Sequence, residues 1–183
     1  NPFNCLGSDI PRLDFDGDND HVSIAPNSLF DFGANQDFTV ECRVRTSNAA
    51  DVAIVGNKDW DSGFNPGFVF SFVFPSGPGW KVNIGDGSSR VDLNSGGAVA
   101  DNEWHTLSVT FDRDGLMTMY EDGVFVDSGD ISGIGNINTG EGLFFGTDFN
   151  LDYDFSGSIG EMRVWNSVLS AQEIQDWRCN TID

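Results

Sequence analysis

The strongest constraint on the fold is an alternation of period two. Between positions 38 and 45, Phe38, Val40, Cys42 and Val44 are apolar, while Thr39, Glu41, Arg43 and Arg45 between them are polar. Successive side chains of a strand point to opposite faces, whereas a helix would place its apolar residues three and four apart. The run is expected to be a half-buried strand with Cys42 inward, a small hydrophobe more than a nucleophile. Comparable runs predict strands at 52–56, 67–74, 81–85, 105–112, 116–120, 124–129, 143–146 and 158–166. The stretch 68–74 is apolar apart from Ser71, as in a central strand buried on both faces. Glu121, Asp122 and Gly123 form a hairpin turn, because Asp-Gly readily takes the positive φ angles that a two-residue connection needs.

Many short strands spaced by turn residues predict an all-β, two-sheet antiparallel sandwich. The 22 Gly and 16 Phe in 183 residues fit this, with the glycines spread between apolar runs. Such a length corresponds to one domain, 1–183, burying roughly two-thirds of its unfolded surface. A single short helix is expected near the end. Ser170 is its N-cap, Glu173 the reciprocal cap and Leu169 against Ile174 a hydrophobic staple, and it runs to about Arg178. Ile174 and Trp177 then share a face, so Trp177 is read as packing.

The formal charge of -20, from 29 acidic against 9 basic residues, repels a phosphate backbone and an anionic membrane surface. Nucleic acid is therefore excluded as a partner. No run approaches the ~20 apolar residues of a membrane span, so no membrane insertion is expected. Cys5 and Cys179 lie near the two ends of the chain. Termini of compact domains are often close, so a Cys5–Cys179 disulfide is sterically feasible and would imply an oxidising compartment. Three reduced thiols in a cytosolic protein is the alternative. The chain starts at Asn1 and not with a signal peptide, and the expectation is a mature, secreted or extracellular form.

Three segments together resemble one known family. They are Leu13-Asp14-Phe15-Asp16-Gly17-Asp18-Asn19-Asp20-His21-Val22, then 101–112 (DNEWHTLSVTFD) with the hairpin after it, then 155–166 (FSGSIGEMRVWN) leading into Leu169 and Ser170. In order and spacing they are similar to laminin-G-like, pentraxin-like and concanavalin A-like lectin domains across nearly the whole chain. The resemblance implies a jelly-roll strand order. It leaves function open, because this fold hosts lectins, adhesion domains, glycosidases and lyases.

Two acidic sets are candidate cation sites. Asp14, Asp16, Asp18 and Asp20 bracket Gly17, and alternate carboxylates in a tight turn can converge on calcium, which takes about six to eight oxygens. The alternative is exposed strand positions followed by an ordinary turn. The second set is Asp148, Asn150, Asp152 and Asp154. Here the resemblance to pentraxins implies calcium ligands, with partners from the loop 57–65, so that Asp59, Asp61 and Asn65 would meet Asp148 and Asn150. The intradomain disulfide of pentraxins is missing, so their ligand and pentameric assembly are not carried over. The alternative is a strand face of Phe149, Leu151, Tyr153 and Phe155 with acids to solvent.

Trp60 and Trp80 lie in or beside loops rich in Gly, Pro and Asp. A sugar ring stacks its C–H groups on an aromatic face while its hydroxyls need polar partners, so Trp60 with Lys58, Asp59 and Asn65 could form a platform; an indole capping the core is the alternative. Catalysis finds little support. No closely spaced pair of acids of the Glu-x-Asp-x-Glu type occurs, and His21 and His105 have no nucleophile beside them. Zinc is not expected, given two distant histidines. The leading expectation is a non-catalytic extracellular carbohydrate-binding domain that uses calcium, its partner a glycan or polysaccharide. The rivals are an adhesion module for a cell-surface or matrix protein, and a glycosidase or lyase of the same fold.

Overall fold

The computed structural model describes residues 11–72, 79–178 and 180. Cys5 and Cys179 lie outside the described residues, as do the last two positions of the strand expected at 67–74. In chain order the first strands are β1 (Leu13–Asp16), β2 (Val22–Ile24), β3 (Phe38–Arg45), β4 (Val52–Gly56), β5 (Gly67–Phe72) and β6 (Trp80–Gly85). There follow β7 (Arg90–Asn94), β8 (His105–Phe111), β9 (Leu116–Glu121), β10 (Val124–Asp130), β11 (Leu143–Phe145), β12 (Ser156–Trp165) and helix α1 (Ala171–Trp177).

They form two antiparallel six-stranded sheets, ordered β1-β12-β3-β8-β9-β10 and β2-β11-β4-β5-β6-β7. The expected sandwich with one short C-terminal helix is what the chain adopts. The core lies between the sheets, and the period-two pattern decides what enters it. Phe38, Val40, Cys42 and Val44 are fully buried, as are Phe68, Phe70 and Phe72 opposite them. Register places Phe38 beside Phe111, whose rings stack 4.1 Å apart, and Phe32 lies on the other side of Phe38 at 3.8 Å. Each ring so enclosed contributes about 2–3 kcal/mol of burial. All of β5 is buried, as its two-sided apolar sequence predicts.

The turn after β9 has Asp122 at φ 52° and Gly123 at φ 75°, as expected of a two-residue hairpin. Helix α1 carries the full capping box: the Glu173 amide donates to the Ser170 side chain, and the Ser170 amide donates to the Glu173 carboxylate.

One expectation is corrected. The polar face of β3 is not open to solvent: Thr39, Glu41 and Arg43 are buried. The Arg163 guanidinium meets Glu41 at 3.2 Å, and Ser108 Oγ donates to the same carboxylate at 2.7 Å. Leu169, Ile174 and Tyr120 form a second small core on this side, with Trp165 and Trp177 against it. Alternation reports which residues are polar; it cannot report that a distant helix returns to cover them. Two strands, β2 and β7, have no signal in the sequence reading, since all three residues of β2 are exposed and β7 buries only Leu93.

Candidate functional site

The hairpin from β4 to β5 opens into the loop 57–66, which is closed at its base by Asn57. The Asn57 amide donates to the Phe68 carbonyl at 3.1 Å, and its side-chain oxygen accepts from the Phe68 amide at 3.0 Å. Gly67 follows at φ 110°, where an added Cβ would lie 2.7 Å from that side-chain oxygen. Inside the loop the Asp61 amide donates to Asp59 Oδ1 at 2.9 Å, and Asn65 Nδ2 donates to the Asp59 carbonyl at 3.2 Å. Lys58 is fully buried, its ammonium donating to the carbonyls of Gly63 and Asn65. Burial lowers its pKa to about 8, against the attraction of Asp92 and Asp59.

The second acidic set is a loop, not a strand. Leu151 and Tyr153 have φ of 64° and 63°, so the strand-face alternative does not hold. Asp148 organises it. One carboxylate oxygen accepts from the amides of Asn150 at 2.9 Å and Asp152 at 3.0 Å, and the other accepts from the Trp60 amide at 2.9 Å. Asp148 is 2% exposed, and burial raises its pKa even though these three donors oppose the rise. Tyr153 OH donates to Asp61 at 3.2 Å, and the Phe149 amide reaches the Lys58 carbonyl at 3.4 Å. The loops 57–65 and 148–153 therefore form one surface.

Trp60 sits at their junction, 9% exposed, packed with Ala53, Val69 and Tyr153 on the outer side of the second sheet. Its indole N–H donates to Asp51 at 3.0 Å, and Lys81 Nζ lies 4.7 Å from its ring centre. The ring is thus largely covered and not an open platform. Trp80 is a core residue, 1% exposed, against Phe70 at 5.3 Å. Lys81, Arg90 and Asn83 converge on Asp92 beside Trp60, at 2.8, 3.2 and 3.0 Å. These four, with Asp51 and Tyr153, escaped the sequence reading. The only cue was that Lys81, Asn83 and Asp92 alternate with apolar residues on neighbouring strands.

The first acidic turn touches the second acidic set through Asp154. The Asp18 amide donates to Asp16 at 2.9 Å, the Asp16 amide to Asp20 at 3.1 Å, and the Asn19 amide to Asp154 at 3.2 Å. Asp14 binds Ser158 Oγ at 2.6 Å, which lowers its pKa. In both turns, backbone N–H groups draw on the carboxylates. Among the described residues, no three His, Cys, Asp or Glu side chains are grouped so as to hold a metal ion. His105 lies between Asp122 at 2.9 Å and Asp101 at 3.1 Å, which raises its pKa to about 9.

Comparison with known proteins places this geometry in a family. A family model described as the concanavalin A-like lectin/glucanases superfamily matches residues 16–175. The chain belongs to this superfamily. A curated relative in Rattus norvegicus, "Sushi, von Willebrand factor type A, EGF and pentraxin domain-containing protein 1", is 26% identical over 132 residues, 67% of this chain. Its Mus musculus counterpart is 26% identical over 114 residues, 57% of this chain. The chain spans only 3% of the length of either relative.

Among solved superfamily-like structures, the binding domain of Paraclostridial Mosquitocidal Protein 1 superposes with a TM-score of 0.75 at 17% identity, covering 94% of this chain and 44% of that one. A heptameric SAP-like pentraxin from Limulus polyphemus gives 0.67 at 16% identity, covering 93% and 82%. Mouse laminin alpha1 domains LG4-5 give 0.68 at 15%, covering 88% and 43%. At these identities the likeness is one of fold, and it includes the laminin-G and pentraxin domains that the sequence resembles. No helix among the described residues is long and apolar enough to cross a membrane.

Proposed function

We propose that the chain is a non-catalytic, extracellular carbohydrate-binding module whose glycan is held on the surface shared by the loops 57–65 and 148–153. The observation that carries this is the 2.9 Å bond from the Trp60 amide to Asp148, which joins two polar loops far apart in sequence into one rigid surface. Hydroxyl-rich ligands need fixed donors and acceptors more than apolar area. Asp59, Asp61, Asn65, Asn150 and Tyr153 provide them, with Lys81 and Asp92 alongside. The covered ring of Trp60 then acts as a support and not as the main stacking face.

Calcium belongs to this proposal. Because both oxygens of Asp148 are engaged by backbone donors, an ion here would draw on Asp59 and Asp61, with the amide oxygens of Asn65 and Asn150 and with backbone carbonyls. The non-catalytic reading is supported by the surroundings of the buried acids: Glu41, 3% exposed with a pKa raised by burial, is closed in by Arg163 and Ser108. The binding domains among the chain's structural likenesses are consistent with it.

A glycan array probed with calcium and with chelator tests the reading. The expected result is binding to at least one polysaccharide class, reduced by Asp61→Asn and by Tyr153→Phe. Absence of binding in both conditions, from a folded protein, overturns it.

A further inference from the structure

A cleft lies at the end of the sandwich opposite the loops 57–65 and 148–153. The loop 57–66 shares its end with the β6–β7 turn, through the Gly87 amide and the Phe64 carbonyl at 2.7 Å. The Asp86 carboxylate ties that turn to Gly135, beyond the C-terminal end of β10. The β9–β10 turn at Asp122-Gly123 is therefore at the other end, where it meets the residues following β7. Between them is a cleft of about 390 Å³ lined by Ser95, Gly97, Glu121, Asp122, Val124, Phe125 and Val126.

Its chemistry is mixed in a specific way. Val124, 54% exposed, is the cross-strand partner of Glu121, so the two share one face of the hairpin, while Phe125 pairs with Tyr120 and turns its ring to the other face. One oxygen of Glu121 accepts from Ser95 Oγ at 2.9 Å, while Ser95 Oγ in turn accepts from the Gly97 amide at 3.0 Å. All nine Lys and Arg residues of the chain lie among the described residues. None of the ion pairs there involves Glu121. The neighbouring Asp122 carboxylate is bound to His105, and the Arg178 guanidinium donates to the Asp122 carbonyl. Glu121 thus brings an uncompensated carboxylate to a mainly apolar cleft.

We propose that this cleft receives a lysine or arginine side chain of a protein partner. The methylenes of such a side chain would lie on Val124 and Val126, and its cationic head on Glu121. The pattern suits an apolar stem ending in a positive charge, whereas a sugar would meet too few polar groups. The charge of -20 adds long-range attraction for a basic partner. β10 is the last strand of its sheet, so a partner segment can approach without displacing a neighbour.

The test is an amide chemical-shift titration with the acetylated, amidated pentapeptide Gly-Leu-Lys-Leu-Gly, at about 150 mM salt so that diffuse attraction is screened. Shifts confined to Ser95, Gly97, Glu121 and 124–126 are expected. Affinity should fall at least about fivefold in Glu121→Gln, in Val124→Ser and with norleucine in place of the peptide lysine, as for loss of one charge-assisted contact. Val124 is exposed, so Val124→Ser keeps the test valid should Glu121→Gln not fold. Shifts spread over the acidic surface, equal affinity for Glu121→Gln, or equal binding of free lysine amide would each overturn the proposal. Glu121→Gln leaves the loops 57–65 and 148–153 unaltered, so the glycan reading stands or fails separately.

Discussion

The amide of Trp60 and the carboxylate of Asp148, 88 residues apart, are joined by a 2.9 Å hydrogen bond that pins one acidic loop to the other. Because Asp148 also holds the amides of Asn150 and Asp152, its removal would leave three donors without their acceptor. Asp148→Ala is expected to destabilise the protein by about 3 kcal/mol, and Asp148→Asn by less, since a buried donor left unpaired costs about 1–3 kcal/mol and the amide side chain keeps one acceptor. Urea denaturation measures both. Early proteolytic cleavage within 57–65 or 148–153 of the alanine variant would confirm that the bond holds the loops.

The pair Glu41 and Arg163 gives a second expectation. Both side chains are 4% exposed and 3.2 Å apart. Arg163→Met should cost about 3–5 kcal/mol, because it strands a buried carboxylate. Glu41→Leu combined with Arg163→Met should cost less than Arg163→Met alone, read from a double-mutant cycle in urea. Additive losses would show that the two charges do not depend on each other.

Alkaline stability depends on two groups of opposite sign. His105 has its pKa raised to about 9, first by the hydrogen bond to Asp122, so its charged form favours the folded state. That stabilisation is complete below the ordinary value of 6.5 and is lost as pH rises through about 9. Lys58 has its pKa lowered to about 8 by burial, so it favours folding above the ordinary value of 10.5, and this contribution is lost as pH falls through about 8. Melting temperature should therefore decline from pH 6.5 toward 9, with His105→Gln flattening the decline and Lys58→Met removing the opposing rise. A His105→Gln profile parallel to wild type in this window would refute the His105 assignment.

Calcium held by the native state alone raises the melting temperature by mass action, and free calcium at a hundred times its Kd is worth about 2.7 kcal/mol. The gain should disappear in chelator and shrink in Asp59→Asn and Asp61→Asn. Asp18→Asn, in the first acidic turn, should retain it. Superimposed curves with calcium and with chelator would remove calcium from the proposal.

Much of the fold was legible because strand patterning is local. The alternation at Phe38–Arg45, the apolar run that became β5 and the Asp122-Gly123 turn each announce themselves within a few residues. The capping box at Ser170 and Glu173 is equally local. The candidate site was legible only in part. The meeting of the Asp59 and Asp148 loops was anticipated from the family resemblance, but the part played by Asp148 was not, since a carboxylate bound to three amides reads in sequence like one free for a cation. Trp60 gave no sign of its cover, because Ala53, Val69, Tyr153 and Lys81 come from four different segments.

By itself, the sequence determined which side chains face the core, because a strand's two faces follow directly from its period of two, and burial selects the apolar one. Only the tertiary structure decided what happens on the outer faces. Whether Glu41 meets water or Arg163, and whether Asp148 is free or holds Trp60, depends on contacts made across more than 80 positions of the chain. No local pattern encodes such contacts, since they form only once strands distant in sequence are paired in one sheet.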